Sequence, residues 1–395
     1  MLYVGLDVHQ KRSSICILNQ DGKTVKQELV NGRWPQVIDR LRRIDQPFGI
    51  CYEASCGYGY LYDQICALPM ASGVSVAHPG QLRLIFKSKK KHDRVDAQKI
   101  AKLLYLGEVP AVHVPGVDVR SWRKLIEFRQ KLLAKRTAAK NQIRAILRGN
   151  ALTAPRGLCT KKSLATLATL ELPAGEKLAM EMALEEIAEL TARIKRVEKE
   201  LKKIADSHPG VTLLRTIPGI GIRTAEAFCA YVDDIKRFSR SRQVGAYFGL
   251  IPCLDSSAGK DRFGHITKDG PSTVRKLLCE ASWVAVNQDP AIKERFDRIV
   301  NGDKDRRKIA IVAIAHHLCR VMAAMLRSGE VWRGRQKMQK DDPNKQDPNK
   351  QDQKKEDQGK NQKKQDGLRP AVEVLGRHHR LLMTRAGDVD DVEAG

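Results

Sequence analysis

The first eighty residues leave few folds open, because runs of strand length come in quick succession, then alternate with helical patterns, and two of them end in an acid. Met1-Leu-Tyr-Val-Gly-Leu-Asp7 reads as a buried strand. Ser13-Ser-Ile-Cys-Ile-Leu18, an Asp21-Gly22 turn and Thr24-Val-Lys-Gln-Glu-Leu-Val30 add two more strands as a hairpin. A helix is expected over about 34–44, then a strand Phe48-Gly-Ile-Cys-Tyr-Glu53, a helix from Leu61 and a short strand over Gly73–Ala77. Three leading strands followed by strand–helix alternation predict a mixed α/β sheet of ribonuclease-H type. Asp93-Arg-Val-Asp96-Ala-Gln-Lys-Ile-Ala-Lys-Leu-Leu is a helical pattern that puts two further acids on one helix face.

Acids at two strand ends plus a helical acid pair can converge above one edge of a sheet. Asp7, Glu53, Asp93 and Asp96 are therefore expected to hold divalent metal, Mg²⁺ or Mn²⁺, through hard oxygen donors for phosphodiester chemistry. The rest of the chain is basic, with 71 Lys+Arg against 46 Asp+Glu and a formal net charge of +25. Such a balance favours a polyanionic partner, nucleic acid before membrane, since no run of about 18 apolar residues stands out. The opening strand leaves no room for a signal peptide, so a cytoplasmic protein is expected. The nine cysteines form no CxxC pair, which argues for reduced core thiols and against zinc. The basic block before the acid pair, with Lys89, Lys90, Lys91 and Arg94, is expected to contact the nucleic-acid backbone.

Four segments are expected: a catalytic α/β domain over 1–118, a helical arm over 119–207, a mainly α C-terminal domain over 208–330, and a low-complexity tail over 331–395. In the arm, Leu125, Leu132, Ala139 and Ile146 recur every seven residues. Over 176–206 two rows are apolar: Met180, Ile187, Ile194, Leu201 and Ala183, Leu190, Val197, Ile204. This is a coiled-coil or helical-hairpin signal, consistent either with assembly of several copies or with pairing inside one chain. An apolar helix over 305–327 carries His316 and His317 as ordinary helix residues. In the tail DPNKQ occurs twice in succession, a composition too polar to build a core.

Two further patterns concern phosphate. A helix, the turn Pro218-Gly219-Ile220-Gly221 and a second helix have the form of a helix-hairpin-helix, in which Gly219 and Gly221 let backbone approach a phosphate. Downstream, Ser256 and Ser257 lie in a Gly-flanked loop with Lys260, Arg262 and Lys268 close behind. That loop suits either a serine nucleophile with cations to bind a phosphodiester or a phosphate grip with no covalent role.

Gly-Leu-Asp7-Val-His, Tyr-Glu53-Ala, Asp93-Arg-Val-Asp96-Ala, a long helical arm, Pro-Gly-Ile-Gly and Gly-Leu-Ile-Pro…Ser-Ser…Gly-Lys occur in that order. Over roughly residues 1–300 the chain thereby resembles the DEDD transposases of bacterial insertion sequences, the Piv-invertase-like recombinases with a RuvC-like N-terminal domain and a C-terminal transposase domain. The resemblance implies that Asp7, Glu53, Asp93 and Asp96 form the metal-binding tetrad and that Ser257 is the nucleophile forming a phosphoserine link to DNA. Ala258 replaces a glycine usual in that loop, which leaves Ser256 as the competing assignment. The resemblance also implies DNA element ends and target as substrates, a structured noncoding guide RNA as partner, and homo-oligomers. Three alternatives use the same residues differently. One is a RuvC-like endonuclease with water as nucleophile. Another is a sugar-kinase or actin-like ATPase, for which Gly57-Tyr-Gly59 is too thin a phosphate loop. The last is a non-catalytic nucleic-acid-binding protein.

Overall fold

In the computed structural model, residues 1–55, 57–85, 93–257 and 260–333 are described, with only the main chain given for Asp93, Arg94, Asp255, Ser257, Lys260 and Asp261. Lys89, Lys90, Lys91 and nearly all of the tail lie outside the described residues. Strands β1 (Leu2–Asp7), β2 (Arg12–Leu18) and β3 (Thr24–Asn31) are followed by α1 (Trp34–Arg42), β4 (Phe48–Glu53), α2 (Tyr58–Cys66), β5 (Ala71–Ala77), α3 (Pro79–Ile85) and α4 (Asp93–Leu106). The sheet order is β3-β2-β1-β4-β5. β1 runs antiparallel to β2, from Tyr3↔Leu18 to Asp7↔Ser14, and parallel to β4, from Leu2↔Phe48 to Leu6↔Tyr52.

Side chains alternate along each strand, so the sheet has two distinct faces. On one, Val4, Leu6, Ile50 and Tyr52 pack with Val37, Ile38 and Leu41 of α1 and with Leu61 and Ile65 of α2. On the other lies α4: Cys16 and Leu18 meet Ala97 and Ala101, while Cys51 meets Ile100 and Leu103. Gly5 marks the closest approach. A Cβ there would overlap the Ala97 carbonyl oxygen and the Ala101 nitrogen, so the missing side chain is what lets α4 lie directly on β1.

The arm consists of α5 (Val117–Gly149), α6 (Lys161–Ala168) and α7 (Ala174–Ser207). Arg129 donates to Glu198 Oε1 at 2.8 Å, Arg136 reaches Thr191 Oγ1 at 3.3 Å, and Asn150 bonds Glu176. As one helix number rises the other falls, so α5 and α7 are an antiparallel hairpin within the chain. Met180, Ala183, Ile187, Leu190, Ile194, Val197 and Leu201 are buried on α7, as the two expected rows require except at their last member, Ile204, which is only partly covered while Ala205 is buried. On α5 the expected row slips: Leu132 and Ala139 are buried, but Ile126, Ile143 and Leu147 take the seam, with Leu125 and Ile146 only partly covered. The apolar seam that suggested assembly of copies is filled from within.

Beyond the arm come α8 (Pro209–Leu214), α9 (Ile222–Val232), α10 (Ser241–Tyr247), β6 (Pro252–Ser257), β7 (Lys260–Ile266), α11 (Ser272–Gln288), α12 (Pro290–Val300) and α13 (Arg307–Ser328). α9 is buried along nearly its whole length, and Ile311, Ile314, Ala315, Leu318 and Met322 of α13 join the same core. α13 is long and apolar enough to cross a membrane by length and composition, which the sequence reading did not anticipate. Half of that stretch is buried inside the fold, as in a core helix. His317 on this helix is pushed down to about 4 by burial and by the neighbouring Arg295 and Arg320. The thiols of Cys16, Cys51, Cys229 and Cys319 are free and buried. Arg123 of α5 donates to the Ala230 and Tyr231 carbonyls, and Tyr231 donates to Glu127 at 2.6 Å, tying α9 to the arm. His113 Nε2 lies 2.7 Å from Asp233 Oδ2, which links the segment after α4 to the end of α9.

Candidate active site

Strand register brings two of the acids to one sheet edge. Asp7 and Glu53 are the last residues of neighbouring parallel strands, and Leu6↔Tyr52 is the pair just before them. Neighbouring strands lie about 4.8 Å apart, so the two carboxylates start from adjacent backbone positions. Both belong to the face covered by α4, since Asp7 follows Gly5 by two residues and Glu53 follows Cys51 by two. Asp96 precedes Ala97, the residue that sits on Gly5, and Asp93 opens the same helix one turn earlier. The outer edge of a sheet at the carboxyl ends of parallel strands is where open α/β folds bind ligands.

Asp7 is largely buried, and His9 Nε2 approaches its Oδ2 at 3.3 Å. Asp96 is half-exposed and pairs with Lys99 at 3.3 Å, one helical turn on. Among the described residues no three His, Cys, Asp or Glu side chains already meet closely enough to hold a metal ion; the Asp93 side chain is not among those described. The donor chemistry nonetheless fits a hard divalent cation, with carboxylates from two adjacent strand ends and from α4. A second observation supports the fit. Ser14, directly across from Asp7 in the β1–β2 pair, is fully buried and its hydroxyl makes no hydrogen bond. An orphaned hydroxyl costs about 1–3 kcal/mol, so a polar partner at this edge would offset that penalty. Sequence alone gave no sign of Ser14, which reads as one polar residue in a strand pattern.

The serines stand elsewhere. What the sequence suggested as a loop is a two-stranded ribbon, with Leu254↔Phe263, Asp255↔Arg262, Ser256↔Asp261 and Ser257↔Lys260 in antiparallel register. The main chain extends because Cys253-Leu254 and Phe263-Gly264-His265-Ile266 sustain strand pairing on either side of the polar tip. Ser257 is the last residue of β6 and Lys260 the first of β7; Ser256 and Arg262 are exposed, as are Leu254 at 58% and Phe263 at 70%. Neither strand packs broadly on another described element. Arg275 holds the base of the ribbon, donating to the Phe248 and Gly270 carbonyls at 3.2 Å and to that of Asp269. Lys268, at φ +59°, is exposed beside this clamp. Nothing in the sequence singles out Arg275, because its partners are carbonyls, which no motif encodes.

The Pro-Gly-Ile-Gly turn joins α8 to α9, but its two glycines differ. Gly219 adopts φ +85°, and a Cβ there would come within 2.5 Å of the Ala285 nitrogen, so this glycine has a packing role against α11. Gly221 caps the start of α9 and borders open space.

Two family profiles match these regions. One, for the DEDD transposases of IS110 elements (described as "Transposase"), covers residues 4–150. The other, "Transposase IS116/IS110/IS902 family", covers residues 211–297. The chain is 27% identical over 350 residues to the transposase for insertion sequence element IS1111A of Coxiella burnetii, covering 84% of this chain and 91% of that protein. It is 28% identical over 334 residues to the transposase for insertion sequence element IS1328 of Yersinia enterocolitica, covering 83% and 98%. A probable family 20 transposase of Pseudomonas aeruginosa is 28% identical over 247 residues, covering 60% and 72%. The class is therefore that of the transposases. Within it, the chain belongs to the IS110/IS116 family and carries that family's DEDD-type N-terminal domain.

Proposed function

We propose that this chain is the transposase of a bacterial insertion sequence, and that it cleaves and exchanges DNA strands with the acid edge and a ribbon serine acting together. The observation that carries the reading is the placement of Asp7 and Glu53 on adjacent parallel strand ends beneath the helix bearing Asp93 and Asp96. The sheet order β3-β2-β1-β4-β5, with β2 reversed, supports a RuvC-like, ribonuclease-H-type domain. The four carboxylates would hold Mg²⁺ or Mn²⁺, which when bound neutralises charge on the nonbridging oxygens of a phosphodiester. Asp7 and Glu53 orient the site from the rigid sheet, and Asp96 and Asp93 close it from α4.

On the ribbon, the Oγ of Ser257, with Ser256 as the competing hydroxyl, attacks phosphorus. A P–Oγ bond forms, a P–O bond of the DNA breaks, and the departing oxygen takes a proton. The phosphoserine link conserves the bond energy, so a second DNA hydroxyl can later displace the serine and rejoin strands without ATP. Arg262 and Lys268, exposed on and below the ribbon, neutralise phosphate, with Lys260 beside the serine in the strand register. Gly221 lets backbone approach DNA at a helix-hairpin-helix. Strand exchange needs more than one active site, so several copies act together. Because the α5–α7 seam is filled within the chain, they meet through other faces of the arm. A structured noncoding RNA encoded by the element guides target choice by pairing, leaving the protein to read backbone and shape.

The test uses wild type, Ser256→Ala, Ser257→Ala and Asp7→Ala with divalent metal, element-end DNA and its flanking transcript, resolved on a denaturing gel. A covalent protein–DNA band lost in Asp7→Ala and in one serine variant is the expected result. Free cleaved DNA without adduct, unchanged in both serine variants, would replace the serine mechanism by water attack at the acid edge. The ribbon's lack of broad packing on other elements is the feature that keeps this second outcome in play.

A further inference from the structure

A cleft of about 780 Å³ begins where the acid edge ends. Its walls include His9 and Gln10 just after β1, Arg33 and Trp34 at the start of α1, and Ser55 and Tyr60 after β4. His9 also touches Asp7, and Ser55 follows Glu53 by two residues, so the cleft and the acids share a rim. The aromatic wall is fixed in place. Trp34 stacks on Tyr60 with ring centroids 5.8 Å apart and planes 29° from parallel. Gly57, at φ +81°, receives the far edge of the indole, and any Cβ there would overlap it. Tyr52 donates to the Tyr58 carbonyl at 2.7 Å, holding the first turn of α2, which carries Tyr60. Despite this support Tyr60 remains 49% exposed.

A held aromatic stack, one ring of it half open, beside an exposed arginine and a histidine is chemistry for a flat, hydrogen-bonding π-system attached to an anion. A cleft of this size takes one nucleotide comfortably. A base inside a duplex has both faces covered, so only an unpaired base can stack on Tyr60. We propose that the cleft receives one unpaired nucleobase of the DNA strand, next to the phosphate held at the acid edge, and stacks it on the Trp34–Tyr60 pair. The site thereby selects DNA whose strands are already separated at the point of reaction. Arg33 meets the neighbouring phosphate, and Gln10 and Ser55 offer hydrogen bonds to the base edge. The inference rests on the acid edge being the place where DNA is cut.

The experiment uses full-length protein in EDTA, so that it reads binding without catalysis. The probe is a short DNA duplex carrying one unpaired 5-iododeoxyuridine, compared with the fully paired duplex and with the matching single-stranded RNA. Irradiation is expected to crosslink the unpaired base to Tyr60 or Trp34, mapped by mass spectrometry. Tyr60→Ala, an exposed position whose fold is checked by thermal melting, should weaken binding of the unpaired probe on the order of 10-fold while leaving the paired duplex unchanged. Tyr60→Phe should restore it. Asp7→Ala should leave the crosslink intact, which separates this inference from the strand-cleavage reading. Equal affinity of Tyr60→Ala and wild type for the unpaired probe, or a crosslink that maps elsewhere, would overturn it. Capture of the RNA but not the DNA would overturn it too.

Discussion

The acid edge and the serine ribbon are built in opposite ways. Asp7 and Glu53 end strands that are buried on both faces and clamped by α4 through Gly5, so their positions follow from the core. Ser256 and Ser257 end a ribbon whose described side chains are mostly exposed and which is held at its base by Arg275. One half of the proposed chemistry is placed by packing and the other by a short stalk. Changes that disturb packing should therefore damage the acid edge and the stability of the protein together. Changes on the ribbon should alter reaction with DNA and leave stability alone.

The strongest test of that contrast is Gly5→Val, which forces side-chain atoms into α4. It should cost about 3 kcal/mol or more in urea unfolding and abolish DNA cleavage. A variant that unfolds like wild type would show that α4 does not depend on this contact. The contact of α9 with the arm, apart from both halves, has its own signature, in pH. Burial pushes the Glu226 carboxyl up to about 7 from its ordinary 4.5, against the pull of the Arg223 guanidinium, from which it accepts bonds of 2.8 and 2.9 Å. The folded protein then keeps a proton that the unfolded chain has released between those two values. Stability from this group falls as pH rises through that window, by up to about 3 kcal/mol. Glu226→Gln should flatten that slope in denaturation measured from pH 4.5 to 7.5. An unchanged slope would mean that the Arg223 pair fully compensates the burial.

Arg275→Ala comes next. Loss of its charged hydrogen bonds should cost about 2 kcal/mol and raise amide exchange at the base of the ribbon while leaving β1 and β4 protected. Uniform loss of protection would make the ribbon an integral part of the C-terminal core. The smallest effect is expected of Phe263→Ser, within about 0.5 kcal/mol of wild type by thermal melting, because the ring is already in water. Weaker DNA retention by this variant would show that the exposed ring is kept for contact with substrate.

How much of this could be read in the sequence follows from what each feature depends on. The strands and the strand-end acids were legible because side-chain alternation and an acid after an apolar run are local patterns. The α7 seam was legible for the same reason, over four heptads of repeated spacing. On α5 the count slipped because Leu125 and Ile146 compete with Ile126 and Leu147 for the same side of the helix, and only the partner decides between neighbours. The ribbon reads as a loop in sequence because Asp255-Ser-Ser-Ala-Gly259 has turn composition, and the pairing that extends it is with residues further on. Gly219 shows what a motif leaves out: its sequence context suggests an approach to phosphate, while its positive φ and the close packing of Ala285 of α11, far along the chain, on its Cβ side already call for glycine. Ser14, Arg275 and the Trp34–Tyr60 stack depend on partners brought together only by the fold, so no spacing could have revealed them.

The helical hairpin has a metric consequence. α5 is 33 residues long, and α7 returns along it to within a few residues of its start. An α-helix of that length measures about 50 Å, the rise of roughly fifteen base pairs of duplex. Anything gripped at the tip, where Asn150 and Glu176 meet, is held at a set distance from the end of the arm that adjoins α9. The arm thus fixes a length, and a change of one heptad in both helices would alter that length by about 10 Å while turning the surfaces at either end by only about 20°.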